Sequence, residues 1–278
     1  MISVNPFYFF LNPSSLFYWP YLISSLFIVC LVLLCAEKNT LRTGRVEGKV
    51  FSSMGRDVAF FAMNSVLALF VLTPNLPGFM QGIESFVVSS LQDIFIRSDL
   101  QKPTNYTYTF YTFSSVLAYD LAFFLVHLLA HKNRFFWHFH RVHHRVNVLT
   151  PLTVFRIHPF EMLCMATITS ASVALVYGVF KFCWPNQLIL INVWGVNGFL
   201  FLFYVSGYHL RHSSVHFSYG PIIERILISP AQHQIHHSSA PEHQHKNMGL
   251  IFSVWDGLFG TLYFANKRQV LEFGLTKK

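Results

Sequence analysis

The chain has 278 residues, 53% hydrophobic, 17% aromatic and only 12% charged, with a formal net charge of +8. About a quarter of an ordinary soluble domain is charged, so this composition excludes a disordered, collagen-like or coiled-coil chain and indicates an integral membrane protein whose apolar surface is solvated by lipid. The excess of 20 Lys and Arg over 12 Asp and Glu then reads as a topology signal, and no nucleic-acid partner is expected.

Five apolar stretches, at about Leu16–Ala36, Val58–Leu72, Tyr108–Ala130, Phe160–Phe180 and Asn186–Ser206, are candidate membrane spans. All but the second reach the ~20 residues needed to cross the hydrocarbon. The second runs into Thr73-Pro74-Asn75-Leu76-Pro77 and spans only with its flanks or dips in and returns. The first has no basic segment ahead of it and no small-residue cleavage site, so it reads as a permanent helix, not a signal peptide. The expected fold is an all-α, multi-pass membrane bundle of about four to five spans with a histidine-rich helical cap. Basic residues cluster at 37–57, 132–159 and beyond 207, which together hold 17 of the 20 Lys and Arg. Five spans with an external N-terminus place all three segments on one side, which the positive-inside rule makes the cytosol.

Histidine is distributed unevenly. All 15 lie between His127 and His245, at the expected cytosolic face or just beneath it. They form spaced boxes: His127 and His131 (HxxxH), His140, His143 and His144 (HxxHH), His212 and His216 (HxxxH), and His233, His236 and His237 (HxxHH). Residues three and four apart share a helix face, so each box presents its imidazoles towards one point. Ten histidines make about five per ion for two ions, and neutral imidazole suits Fe, Zn, Cu and Ni. His209 is the alternative to His216 in the third box. His138, His243 and His245 fall outside the spacing and read as solvated or supporting residues. Neither HExxH nor HxxEH occurs, against a membrane zinc protease. The four cysteines show no CxxC spacing and read as buried thiols.

The surroundings of the boxes carry a resemblance. Asp120 precedes the first box as in D-x6-HxxxH, and Trp137–His144 reads W-x-F-H-x-V-H-H. Thr150–Glu161 is similar to T-x-x-R-x-H-P-x-E, Asn247-Met248-Gly249 to N-x-G, and Trp255–Thr261 to W-D-x-L-F-G-T. Over residues 110–264 this resembles the membrane fatty acid hydroxylase/sterol desaturase superfamily. The resemblance implies N-terminal spans over 1–109, a hydroxylase-like catalytic domain over 110–264 and a basic tail over 265–278. It further implies a non-haem di-iron oxidoreductase that hydroxylates, or as the weaker alternative desaturates, a sterol, fatty acyl chain or ether lipid. Two iron ions would be held by the ten box histidines, with zinc able to replace them on purification, and O2 would be the oxidant. The chain has neither GxGxxG nor CxxCH, so an external cytochrome, ferredoxin or reductase would supply electrons. Asp120 is expected to support a ligand histidine from about 10 Å deeper in its helix, and His158 and Asn247 are assigned to the catalytic machinery with it. Arg156, His158 and Glu161 either cap the site or anchor the fourth span. The Met and Phe enrichment reads as lipid-facing or core. The rival reading is a membrane metal transporter or metal-binding protein, which would line its spans with ionisable residues.

Overall fold

The computed structural model describes residues 8–35, 50–95, 102–185, 188–265 and 270–275. The helices, in order, are α1 (Tyr8–Leu11), α2 (Trp19–Cys35), α3 (Val50–Leu67), α4 (Thr73–Ile94), α5 (Asn105–Lys132), α6 (Arg134–His144), α7 (Pro159–Cys183), α8 (Gly198–Val205), α9 (Gly220–Ile223), α10 (Pro230–His236) and α11 (Val254–Phe259). A π-helical turn, Ala68–Leu72, joins α3 to α4 without a break.

Among the described residues, three helical segments are long and apolar enough to cross a membrane: Ser52–Ile94, Asn105–Lys132 and Pro159–Cys183. The last two coincide with the third and fourth expected spans. The second expected span is longer than its hydropathy indicates. Pro74 and Pro77 lack the N–H donors that would close the preceding turn, and the helix widens there instead of ending. Thr73 Oγ1 donates to Ala68 O (3.0 Å) and Asn75 Nδ2 to Val71 O (2.7 Å), adding side-chain bonds to the carbonyls of the widened turn. At 43 residues this segment is about 65 Å long, roughly twice the hydrocarbon thickness, so its first turns lie outside the bilayer against the cap.

The fifth expected span is not a spanning helix. Asn192–Val193 and Val196–Asn197 pair as an antiparallel hairpin (β1, β2) around Trp194 and Gly195. Both turn residues have positive φ, 49° and 85°, as the tight primed hairpin turns require. Asn197 Nδ2 donates to Thr112 O (3.1 Å) and Ile191 N to Thr112 Oγ1 (2.9 Å), tying the hairpin to α5. The 8-residue α8 then returns the chain to the cap. Mean hydropathy cannot separate this arrangement from a span, because Ile, Val, Trp and Phe serve both.

α3–α4 and α7 run the same way: Asn64 Nδ2 donates to Ile157 O (2.8 Å) near one end and Glu84 pairs with Lys181 at the other. α5 runs oppositely on the other side of α7, with Tyr111 against Phe180 (5.2 Å between rings). The described basic residues of 50–57, 133–158 and 207–265 therefore stand at one end of the bundle. Lys38, Arg42, Arg45, Lys49, Lys267, Arg268, Lys277 and Lys278 lie outside the described residues. α2 has 17 described residues, at the low end of the length that crosses a membrane. Leu16 O accepts from His209 Nε2 (2.8 Å) and Phe17 stacks on Phe155 (4.5 Å), so the residues just before α2 sit at the cap end and not on the face expected for an external N-terminus. The described residues of 265–275 pack on α10, with Ala265 and Leu271 against Ala231 and Ile235.

α4 and α7 touch closely at Gly178, where a Cβ would stand 2.8 Å from Val87 Cβ and 3.2 Å from Glu84 O. Gly178→Val should therefore force the helices apart and cost about 1–3 kcal/mol. A lowered thermal midpoint in detergent is the expected readout, and an unchanged midpoint would show that the contact yields freely.

Candidate metal centre

Local sequence sets the site. Asn133 ends α5 and, by accepting from Phe135 N (2.9 Å), starts α6 in the next residue. This turn folds His140 and His144 back onto His127 and His131. α10 begins with a capping box in which Ser229 Oγ accepts from Gln232 N and Gln232 Oε1 from Ser229 N, with Pro230 at the first helical position. Gly207, at φ 91° and with Ile28 pressed against it, makes the left-handed turn that starts the 3-10 helix Tyr208–His212.

Nine of the ten expected ligands come together in two buried groups. One holds His127, His131, His140, His144 and His236; the other holds His143, His212, His233 and His237. His216 lies outside both. His209, its alternative, lies outside them too and donates to Leu16 O. Each HxxHH box divides between the groups instead of converging on one point: α6 sends His140 and His144 to the first and His143 to the second, while α10 sends His236 to the first and His233 and His237 to the second. Positions i and i+4 face one way on a helix and i+3 is turned about 100° from i+4, so one box reaches two centres.

The nitrogens face one another without protons to share. His127 Nδ1 donates to Met248 O (2.7 Å) and His140 Nδ1 to the Glu161 carboxylate (2.6 Å). A neutral ring carries one proton, so both Nε2 atoms present lone pairs, and they stand 3.2 Å apart, with His144 Nε2 3.0 Å from His140 Nε2. In the second group the Nε2 atoms of His212, His233 and His237 form a triangle of 3.1, 3.1 and 3.2 Å. Three in-plane ring nitrogens cannot close such a triangle with hydrogen bonds, whereas one cation satisfies all three. Metal–imidazole bonds of about 2.1 Å set at right angles space the nitrogens about 3.0 Å apart, against about 3.4 Å for a tetrahedron. The buried Nε2 atoms of His131 and His236 have no protein hydrogen-bond partner. The donor set thus fits metal ions at both groups.

A second layer holds these rings. Lys246 O accepts from His236 Nδ1 (2.9 Å) and Arg156 O from His143 Nδ1 (3.2 Å). Lys246 and Met248, which hold one first-group histidine each, flank Asn247 at φ 54°, a strained conformation of the kind that functional sites retain. Asn247 itself does not reach the metal ligands: it donates to Gln232 O (3.0 Å) and accepts from Tyr263 N (2.8 Å), fixing that strained segment. Asp120 likewise supports no ligand directly. Its carboxylate accepts from Ile251 N (2.8 Å), Phe252 N (3.0 Å) and Trp255 Nε1 (3.0 Å), tying α5 to the loop after Met248. The role expected of Asp120 is filled by Glu161, in the first turn of α7. His158 caps α7 by accepting from Phe160 N (3.1 Å) and packs on Phe139; it anchors the helix. His243, read as solvated or supporting, is 1% exposed against Tyr263, while His245 is exposed beside His131.

Beneath both groups lies a cavity of ≈470 Å³. His127, His140, His143, His212 and His233 form its upper wall. Phe61 and Ala68 of α3 and the π turn, Phe123 of α5, and Met162, Met165 and Thr169 of α7 continue it downwards. These Met and Phe side chains line a cavity, contrary to the expectation that they face lipid or core.

Burial keeps six of the cluster imidazoles neutral. His143 is pushed down to about 4 and His236 to about 3, and His144, His212, His233 and His237 lie well below the usual value, each chiefly through desolvation. In the unfolded chain these groups take up protons near pH 6.5. Between about pH 6.5 and 4 the unfolded state binds more protons, so stability falls as pH falls through that window and is level above it. Chelator-treated protein should accordingly lose thermal stability from pH 7 to 5; a flat profile would show that the rings are not buried neutral.

The fatty acid hydroxylase family model matches residues 112–261. The chain is 27% identical to a Caenorhabditis elegans alkylglycerol monooxygenase over 142 residues (51% of this chain, 25% of the relative). It is 26% identical to the human alkylglycerol monooxygenase over 215 residues (71% and 43%), and 27% identical to the Danio rerio one over 164 residues (58% and 32%). The chain spans less than half the length of these relatives. No solved structure gives a significant match. The matched segment opens on α5 and closes just beyond α11, taking in the two histidine groups and the carbonyls and Glu161 that orient them; the chain belongs to the fatty acid hydroxylase family.

Proposed function

We propose that this protein is a membrane lipid hydroxylase that holds two iron ions in its paired histidine groups and uses O2 and electrons from an external donor protein. The observation that carries the reading is the opening of both groups onto one apolar cavity. Iron bound there would supply the activation of O2 needed to attack an unactivated C–H bond. The chain's own residues do the rest. Glu161 and the carbonyls of Arg156, Lys246 and Met248 hold His140, His143, His236 and His127 with their Nε2 atoms inward. Phe61, Phe123, Met162 and Met165 exclude water and cradle an alkyl chain. Hydroxylation is favoured over desaturation by the family and by the monooxygenase relatives.

The basic residues gathered at that end support placing the cap in the cytosol, which would let electrons arrive from water while substrate enters from lipid. The test is full-length protein in lipid nanodiscs, loaded with iron(II) and given O2 and a reductant. About two metal ions per chain and a lipid product heavier by one oxygen atom are expected. One ion per chain, or no oxygenated product with any electron donor, overturns the reading.

A further inference from the structure

Arg211 immediately precedes His212 and is 2% exposed, yet it belongs to none of the ion pairs among the described residues. Its Nη2 donates to Leu250 O, and its guanidinium lies over the rings of Phe203 and Tyr208, 5.2 and 5.8 Å away. Arginine has five N–H donors in a fixed fork, and no other protein acceptor among the described residues meets them. Burying a cation this way is costly unless something completes its hydrogen bonds. Asp120 does not: backbone amides and Trp255 occupy its oxygens.

What Arg211 does face is the cavity, whose wall it shares with Tyr119, Tyr204 and Tyr208. Tyr204 and Tyr208 pack ring to ring at 5.3 Å, and among the described residues no protein hydrogen bond ends on the three hydroxyls. Below the histidines, the cavity wall thus carries a guanidinium and three phenols with hydrogen-bonding capacity directed at its contents. Asn64, Ser65, Thr169 and Glu161 also reach the cavity, but Asn64 Nδ2 and Thr169 Oγ1 already donate to Ile157 O and Met165 O. Arg211 is the cation of the wall, whereas Phe61, Met162 and Met165 offer an apolar stretch.

We propose that Arg211, with Tyr119, Tyr204 and Tyr208, binds the oxygen-bearing polar end of a single-chain lipid whose alkyl chain lies against Phe61 and Met165. Because Arg211 and His212 both line this cavity, the carbons nearest that polar end are the ones presented to the histidine groups. Arg211 is then a specificity residue: it selects lipids with an acceptor oxygen at one end over plain hydrocarbon. The proposal rests on the lipid-hydroxylase reading, and its test avoids turnover.

Full-length, zinc-loaded protein in detergent is titrated with radiolabelled hexadecanoic acid, hexadecan-1-ol and hexadecane. A hydrogen bond from a charged donor changes affinity by about tenfold or more, so one or both oxygenated probes should bind at least about tenfold tighter than hexadecane. Arg211→Met should abolish that preference and leave hexadecane binding unchanged. Tyr208→Phe, which removes only a hydroxyl, should weaken it several-fold, and this variant with Arg211→Lys carries the test should Arg211→Met not fold. A preference confined to the acid identifies a carboxylate end; one shared by the alcohol identifies a neutral oxygen. Equal binding of all three probes, or a preference that survives Arg211→Met, overturns the proposal. Selective binding without any oxygenated product would reject the enzymatic reading and leave this one standing.

Discussion

Replacing His237 by Ala should halve the metal content of the purified protein, from about two ions per chain to about one, and lower turnover at least about a hundredfold. His237 belongs to the group of four, with His143, His212 and His233, so its loss leaves three ligands and opens the Nε2 triangle. Neighbouring imidazoles cannot swing in to replace it, because each is fixed through its own helix. His236→Ala acts on the group of five and leaves four ligands, so it should retain more metal than His237→Ala while still impairing turnover. Glu161→Gln should fall between those and the parent, since loss of a partner that orients a ligand typically costs about 10–100-fold. His216→Ala, outside both groups, should keep both ions. Elemental analysis beside turnover decides: two ions retained in His237→Ala would mean that the nitrogens converge for some purpose other than metal.

The second large effect is expected far from the histidines in sequence. Arg156 Nε donates to Asp57 Oδ1 (2.5 Å), and its Nη2 donates to Ser53 O (2.7 Å) and Ser53 Oγ (2.8 Å). Asp57 is 0% and Arg156 2% exposed. Removing one partner of a buried pair strands the other charge, which costs about 3–5 kcal/mol. Asp57→Ala should therefore lower the thermal midpoint sharply. It should also loosen the second histidine group, because the backbone carbonyl of Arg156 holds His143. The double variant Asp57→Leu/Arg156→Met, which leaves no stranded charge, should recover much of the stability. A single variant as stable as the parent would show that water reaches the pair.

Much of this site is legible in the sequence because its information is local. HxxxH and HxxHH are spacings within single helices, Pro159 and Ser229-Pro230 mark helix starts, and the two long spans have uninterrupted apolar runs. Where the signal is local but degenerate, the sequence misleads. Residues 186–206 are as apolar as a span, and only the tertiary bonds of Ile191 and Asn197 to Thr112, with two positive-φ residues at the turn, make them a hairpin and a short helix. The buried carboxylates are a sharper case. Asp120, Glu161 and Asp57 all sit on apolar helices, and nothing in their neighbours in sequence says which one touches a histidine; that depends on which side chain the crossing of α6 over α7 delivers to Glu161.

The sequence by itself determined that this is a membrane protein with a histidine-built centre at one end, because composition and intrahelical spacing are properties of one strand of chain. Only the tertiary structure decided that each HxxHH box serves two centres, that His216 serves neither, that backbone carbonyls at 156, 246 and 248 orient the ligands, and that Arg211 faces the cavity. The physical reason is the same for all four. A helix fixes the angle between its own side chains at about 100° per residue, but which directions find a partner is set by the helices and loops that pack against it.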